Sequence, residues 1–295
     1  MDPVGRRVRR SLEAIDTTKS GWLQSMALKT LHAFGRRPSS AEDPKAYSGI
    51  VAPTLALLIV VGVWELFCRT SGLPPYLVPS PSAIAVEIVE RRALLADHAL
   101  TTLVETVVGL LLASVLGIGL AMLVVSFKRL GEAIYPLLVV SQVVPKVAIA
   151  PLLIVYVGFG IQSKILIAFL LAIFPMVVNT VLGFRTINPE LLQLLATLKA
   201  SKWQVMWKIR TPNAVPHMIE GAKIAVTLAV IGAIVGEFAS GDRGLGFLIS
   251  SSSSALDTVL SFAAIVVLAA LGIGLFKIVE IVGNALTPRP LRPRS

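Results

Sequence analysis

The sequence predicts an all-α, polytopic membrane protein with six transmembrane helices, and three observations carry that expectation. First, 55% of the 295 residues are hydrophobic and only 15% are charged, against about 45–50% apolar content in an ordinary soluble domain. Second, the apolar residues gather into six runs, 49–69, 101–126, 133–157, 163–184, 216–238 and 258–282. Each reaches the roughly 20 residues that a hydrocarbon layer about 30 Å thick requires of a spanning helix. Third, the basic residues separate by side: with both termini in the cytoplasm, the parts of the chain there hold 19 of the 27 Lys and Arg. Such a bias orients membrane proteins, and it accounts for the net charge of +10 without a nucleic-acid partner.

Four regions follow: a basic tail over 1–46, a first transmembrane helix over 47–70, a five-helix core over 71–284 and a second tail over 285–295. In the first tail, Arg6, Arg7, Arg9, Arg10, Arg36 and Arg37 flank Trp22, Leu23, Met26 and Phe34, which suits either a helix lying on the membrane surface or a disordered tail. It lacks the apolar core of a secretory signal, so its retention is expected. Cys68 ends the first apolar run and, as the single cysteine, reads as a small core residue. The second span carries Gly109, Ala113, Gly117 and Gly119, and the fifth carries Ala222, Ala225, Ala229 and Ala233; such residues let helices approach closely. Pro145 and Pro151 interrupt the third span and Pro175 the fourth, breaks that a membrane tolerates where neighbours satisfy the freed backbone groups. On the outer side, "SGDRGLGFLISSSSS" reads as a flexible loop or as a contact for an external partner.

Between the fourth and fifth spans lies "NPELLQLLATLKASKWQVMWKIRTPNAVP". Asn188, Pro189 and Glu190 make a helix start from three independent preferences: a side-chain cap, a fixed φ and a negative first turn. Leu191, Leu194, Leu195 and Leu198 recur on one face. Ser201 and Gln204 form a capping-box pattern for a second helix, with Trp203, Met206 and Trp207 along one side and Pro212 as its stop. Two amphipathic helices joined near Lys199 and Ala200 are expected. Their apolar faces belong either in the headgroup layer or in a groove on a soluble partner.

This segment resembles the cytoplasmic loop of binding-protein-dependent ABC importer permeases, whose pattern is Glu-Ala-Ala, three residues, Gly, nine residues, then Ile-x-Leu-Pro. The spacing falls on Gln193, Leu194, Leu195, Lys199, Ile209, Arg210, Thr211 and Pro212. Gln193 replaces the family's Glu, and Lys199 stands where Gly is usual, a departure at a position where the chain turns left-handed after a helix. "LVPSPSAIAVEI" (77–88), "VVPKVAIAPLLIVYVGFGIQSKI" (143–165) and "VGEFASGDRGLGFLI" (235–249) resemble permeases of the nitrate, sulfonate and taurine type. The resemblance implies a type I ABC importer permease fold. It also implies a second permease subunit, expected to be another copy, two ATPase subunits docked on the loops, and an extracytoplasmic substrate-binding protein. ATP and Mg would sit on the ATPases, with no cofactor on this chain. Gln193, Lys199, Ala200, Ser201, Trp203, Met206, Trp207, Ile209 and Pro212 would form the ATPase-coupling loop, Trp203, Met206 and Trp207 touching the partner and Ile209 and Pro212 fixing the helix against the spans.

The chemistry absent from the sequence agrees with a permease rather than an enzyme. There is no GxxxxGK[ST] phosphate loop, "GFGIQSK" lacks the spacing, and His32, His98 and His217 are scattered with no metal pattern. Ionisable and polar residues within spans are the candidates for a solute pathway, since a charge at the bilayer centre costs about 2.5–3.5 kcal/mol on insertion scales. Lys146, Gln142, Asn179 and Glu237 are those candidates; each has an alternative as a partner in pairing or helix–helix hydrogen bonds. Lys146, directly after Pro145, suits an anionic solute such as a sulfonate. Glu220 and Lys223, three apart, are expected to pair with each other. A small solute carried inward across a plasma membrane is the expected function; a secondary transporter or channel working without ATP and a scaffold that moves nothing are the rivals.

Overall fold

The computed structural model of the chain describes residues 48–74, 76–140 and 145–287. The tail expected over 1–46 and Gln142 lie outside these described residues. The chain divides within its first helix into two units, 1–60 and 61–295. Of the first unit, residues 48–60 are described, as the opening of helix α1 (Ser48–Thr70); the side chains described there are exposed.

The second unit contains the end of α1 and every later helix. Ser80 caps α2 (Pro81–Glu90) by accepting the amide of Ala83, with Pro81 in the first turn. Glu65 of α1 holds this start in place: it accepts the Ser82 amide at 3.0 Å and the Ser82 hydroxyl at 2.8 Å. The long helix α3 (Arg92–Ser126) follows, then α4 (Lys128–Val140), α5 (Lys146–Val157) and α6 (Ile161–Arg185). Beyond α7 (Pro189–Thr197) and α8 (Lys202–Val205), a π-helical turn over Met206–Arg210 leads into α9 (Thr211–Ser240). Helices α10 (Leu245–Ser254) and α11 (Thr258–Leu286) complete the described chain. The outer "SGDRGLGFLISSSSS" stretch is therefore mostly helix, which replaces the expected flexible loop.

Among the described residues five helical stretches are long and apolar enough to cross a membrane: Ala52–Thr70, Arg92–Ser126, Ile161–Arg185, Lys202–Ser240 and Thr258–Leu286. The expected third span, 133–157, departs from a single helix; α4 and α5 flank residues 141–144. The physical reason lies in its prolines. Pro136 and Pro151 sit inside α4 and α5, each without an amide to donate, and Pro145 is itself non-helical, at φ −70° and ψ 87°, directly before α5.

The core of the second unit is where α3, α6, α9 and α11 meet. Ala113, Ala168, Ala172, Ala225, Ala229 and Ala233 are fully buried there. With no bulk beyond Cβ on these faces, backbones approach closely. A Cβ on Gly109 would lie 2.7 Å from the Ala168 Cβ, and one on Gly232 would lie 2.6 Å from the Ala168 Cα. Gly119, expected to serve the same purpose, faces open space instead.

Candidate functional site

The end of this bundle expected on the inner side is built by capping chemistry. Asn188 accepts the Glu190 amide at 2.9 Å and starts α7. The helix closes with the amide of Lys199 bonded to the carbonyl of Ala196 and that of Ala200 to Leu195, both at 3.0 Å. That pair of bonds is a Schellman closure, which requires a left-handed residue after the cap. Lys199 supplies it at φ 54°. The turn that the sequence pattern reserves for glycine is thus made by lysine, with the steric cost of about 1–2 kcal/mol carried by its Cβ. Ser201 and Gln204 then form the expected capping box, the Ser201 hydroxyl accepting the Gln204 amide at 3.2 Å and the Gln204 carbonyl accepting the Ser201 amide at 3.0 Å. Every polar group at this corner that fixes the angle between α7 and α8 is local in sequence.

Two expectations about the segment are corrected by the structure. Pro212 does not stop the second helix. Thr211 bonds back to Met206 in π register, a wider turn directly before the proline, which has no amide to donate, and Lys202–Ser240 runs on as one helix. Met206 does not join the two tryptophans. It is buried among Val124, Phe184 and Ala214 in the inner core, because positions 203 and 207 share a face four residues apart while 206 turns toward the bundle. Trp203 is 70% exposed and packs edge-on to Trp207, ring centroids 5.3 Å apart. Gln193 and Ser201 are exposed, Ala200, Ile209 and Pro212 half-buried. An apolar groove of about 800 Å³ opens beside Trp203, between it and Leu116, Leu120 and Leu123 of α3.

The end of the bundle expected on the outer side holds a polar lock that sequence reading missed. Lys164, at the start of the fourth expected span, is 1% exposed. Its ammonium lies 2.5 Å from Asp242, 3.3 Å from Glu105 and 2.8 Å from the Arg243 carbonyl. Glu237 is fully buried; it accepts the Thr102 hydroxyl at 2.6 Å and the Gly246 amide. Thr102 in turn accepts the Leu245 amide at 2.9 Å, and His98 meets the backbone of Gly244 at 3.0 Å. Gly244, at φ 114°, leaves no room for a side chain against the Glu237 carboxylate. Burial raises the Asp242 carboxyl, but the hydrogen bonds from Lys164, the Arg243 amide and Ser240 outweigh it and hold the group below its ordinary value. A charged residue inside a predicted span, Glu105, was the signal that could have exposed this lock.

The remaining pathway candidates are dispersed. Lys146 begins α5, Asn179 is half-buried on α6 with its amide donated to the Pro175 carbonyl at 2.9 Å, and Glu237 belongs to the outer lock. Among the described residues no cluster of His, Cys, Asp and Glu has the makings of a metal site. Glu220 and Lys223 pair at 2.9 Å, as their spacing requires.

Apolar spans tied by a polar lock at one end and carrying a stiff amphipathic handle at the other define the membrane subunit of a transporter. The chain belongs to the family of binding-protein-dependent transport system inner membrane components, which it matches over residues 113–292. It is 38% identical over 237 residues to the formylaminopyrimidine transport permease protein ThiX of Halalkalibacterium halodurans, covering 80% of this chain and 94% of that one. It is 34% identical over 235 residues to the riboflavin transport system permease protein RibX of Chloroflexus aurantiacus, covering 79% and 87%. Permeases named for aliphatic sulfonates, nitrate and taurine also match, at 27%, 28% and 25% identity, so the expected subfamily is supported in part. Among solved structures, a chain of the inward-facing MetNI methionine ABC transporter aligns with a TM-score of 0.60 at 19% identity, over 68% of this chain and 99% of that one, and shares the type I importer permease fold.

Proposed function

We propose that this permease works in an ATP-driven importer in which a separate ATPase docks on the α7–α8 handle, with both termini on the cytoplasmic side and ATP and Mg held by the ATPase. Two ATPase subunits, a second permease subunit and an extracytoplasmic substrate-binding protein complete the assembly. The observation that carries this reading is the handle itself. Two helices are locked at a fixed angle by a Schellman closure and a capping box, and an exposed pair of tryptophans stands on a helix continuous with a span. Exposed aromatics on a rigid frame are the usual anchors for a partner's groove. A frame that cannot bend passes a partner's displacement to the bundle. ATP then acts by favouring one arrangement of the spans over another.

For the solute we infer a planar nitrogen heterocycle, of the aminopyrimidine or flavin kind, rather than a small inorganic or sulfonate anion. Two relatives above 30% identity are named for such rings. Copurification tests the coupling. The natural chain should retain an ATPase through purification, and Trp203→Ala with Trp207→Ala should lower its recovery at least tenfold while the helix content stays unchanged. Solute passage in membranes free of nucleotide would show a channel or secondary transporter and end the importer reading.

A further inference from the structure

Four charges sit where an apolar bundle has no ordinary use for them. Lys223 pairs with Glu220 on α9 at 2.9 Å, and Lys277 pairs with Glu280 on α11 at 2.6 Å. The two helices touch at this level, Gly283 against Ile219, and Lys223 lies within electrostatic reach of Glu280. Lys223 stands about 20 Å of helix from Arg210 and about 25 Å from Ser240. With its outer face no farther out than Ser240, a hydrocarbon layer about 30 Å thick therefore contains Lys223, about 5 Å or more from its other face. Yet the Glu220 side chain is 64% exposed and that of Lys277 is 62% exposed. Charges at such depth face a bundle interior or a water-filled cavity, not lipid tails.

A groove begins one turn outward from these pairs. It has a volume of about 490 Å³ and runs between α9 and α11, lined by Thr227, Ile231, Ala269, Gly272, Ile273 and Phe276. That volume is in the range of small-molecule sites, about 300–1,000 Å³. Its walls are apolar except for Thr227, and the two charge pairs stand within about two helical turns of Thr227 and Phe276 along α9 and α11. Such a site suits a flat, apolar-faced ring whose edge carries both hydrogen-bond donors and acceptors. A net-neutral set of four charges does not select an anion.

We propose that the α9–α11 groove and the Glu220, Lys223, Lys277 and Glu280 tetrad form a solute subsite on the translocation path, taking a planar nitrogen heterocycle with its polar edge toward the tetrad. The ring stacks along Ile231, Ile273 and Phe276, and the edge exchanges water for the paired charges. The proposal rests on the heterocycle reading above, and two measurements separate the two.

Gly272→Trp tests the groove, because Gly272 lines it and a Cβ there meets nothing within 4 Å. Uptake of formylaminopyrimidine by vesicles holding the whole assembly should fall at least tenfold, with the ATPase still copurifying. Unchanged uptake overturns the subsite. Single cysteines test the tetrad. In a Cys68→Ser background, Glu220→Cys and Lys277→Cys should react with a cationic, membrane-impermeant thiol reagent, and formylaminopyrimidine should slow that reaction at least threefold. No reaction at either position, as when lipid or a second copy covers the tetrad, overturns the proposal, and so does reaction without protection. If the unmutated assembly drives no ATP-dependent uptake of this probe, the heterocycle reading fails and takes the ligand assignment with it, whereas Gly272→Trp fails on the site alone.

Discussion

Lys164 shows what a single side chain does for this protein. It is the cation among three carboxylates at the outer end of the bundle, touching Asp242 and Glu105 directly, with Glu237 on the facing helix. Removing one partner of a buried ion pair leaves an uncompensated charge and costs about 3–5 kcal/mol. Lys164→Ala should therefore lower the thermal midpoint of the purified chain by many degrees. Asp242→Asn should do less, because Asp242 is half exposed and solvent screens it. The sign of the pH effect follows from the lowered Asp242 pKa. A carboxylate held below its ordinary 3.8 stabilises the fold fully above that value, and the contribution is lost as pH falls through the lowered one. The difference in thermal midpoint between the natural chain and Asp242→Asn should be constant above pH 3.8 and shrink below it. A difference that persists in acid would show that the Lys164–Asp242 contact carries no charge term.

At the scale of elements, the α6–α9 pair sets how closely the spans pack, and the glycines of the spans are not equivalent. A methyl at Gly232 would meet the Ala168 Cα at 2.6 Å and its amide nitrogen at 3.0 Å, both backbone atoms, so the helices must separate. Overpacking of this kind costs about 1–3 kcal/mol. Gly119, on α3, meets nothing within 4 Å, and alanine there gains about 0.5–1 kcal/mol of helix preference. Gly232→Ala should lower the unfolding midpoint while Gly119→Ala raises or preserves it; equal effects would place the close approach elsewhere. The sequence pattern marks Gly119 as a close-approach position and does not single out Gly232, because spacing does not say which face meets a neighbour. Other elements were legible where their cause is local. Asn188, Ser201 and Gln204 announced their caps, since a cap and its amide lie within three residues. The π turn was not, because Pro212 forbids one bond without dictating the register that replaces it. The outer lock was not legible either. Its partners, Glu105, Lys164, Glu237 and Asp242, are brought together by packing, and a hydropathy reading places Lys164 only as a charge at the edge of the fourth apolar run.

For the whole molecule, one helix joins the two ends. Lys202–Ser240 is continuous, bearing Trp203 and Trp207 at the inner end and Glu237 and Ser240 within the outer lock. At about 1.5 Å per residue it is close to 60 Å long, and a rod of that length turns a small tilt at the handle into an ångström-scale shift at the lock. Packed interfaces respond to such shifts by switching between discrete arrangements, not by deforming smoothly. A three-glycine insertion after Thr211 leaves α7, α8 and the π turn intact and makes the joint between handle and span flexible, since glycine weakens helix at about 1 kcal/mol per residue. The ATPase should still copurify with this variant, at natural yield, while ATP-driven uptake of formylaminopyrimidine falls at least tenfold. Three inserted alanines, which keep the helix stiff but rotate the handle, should impair ATPase recovery instead. Uptake that survives the glycines would mean that force reaches the spans by contacts other than this helix.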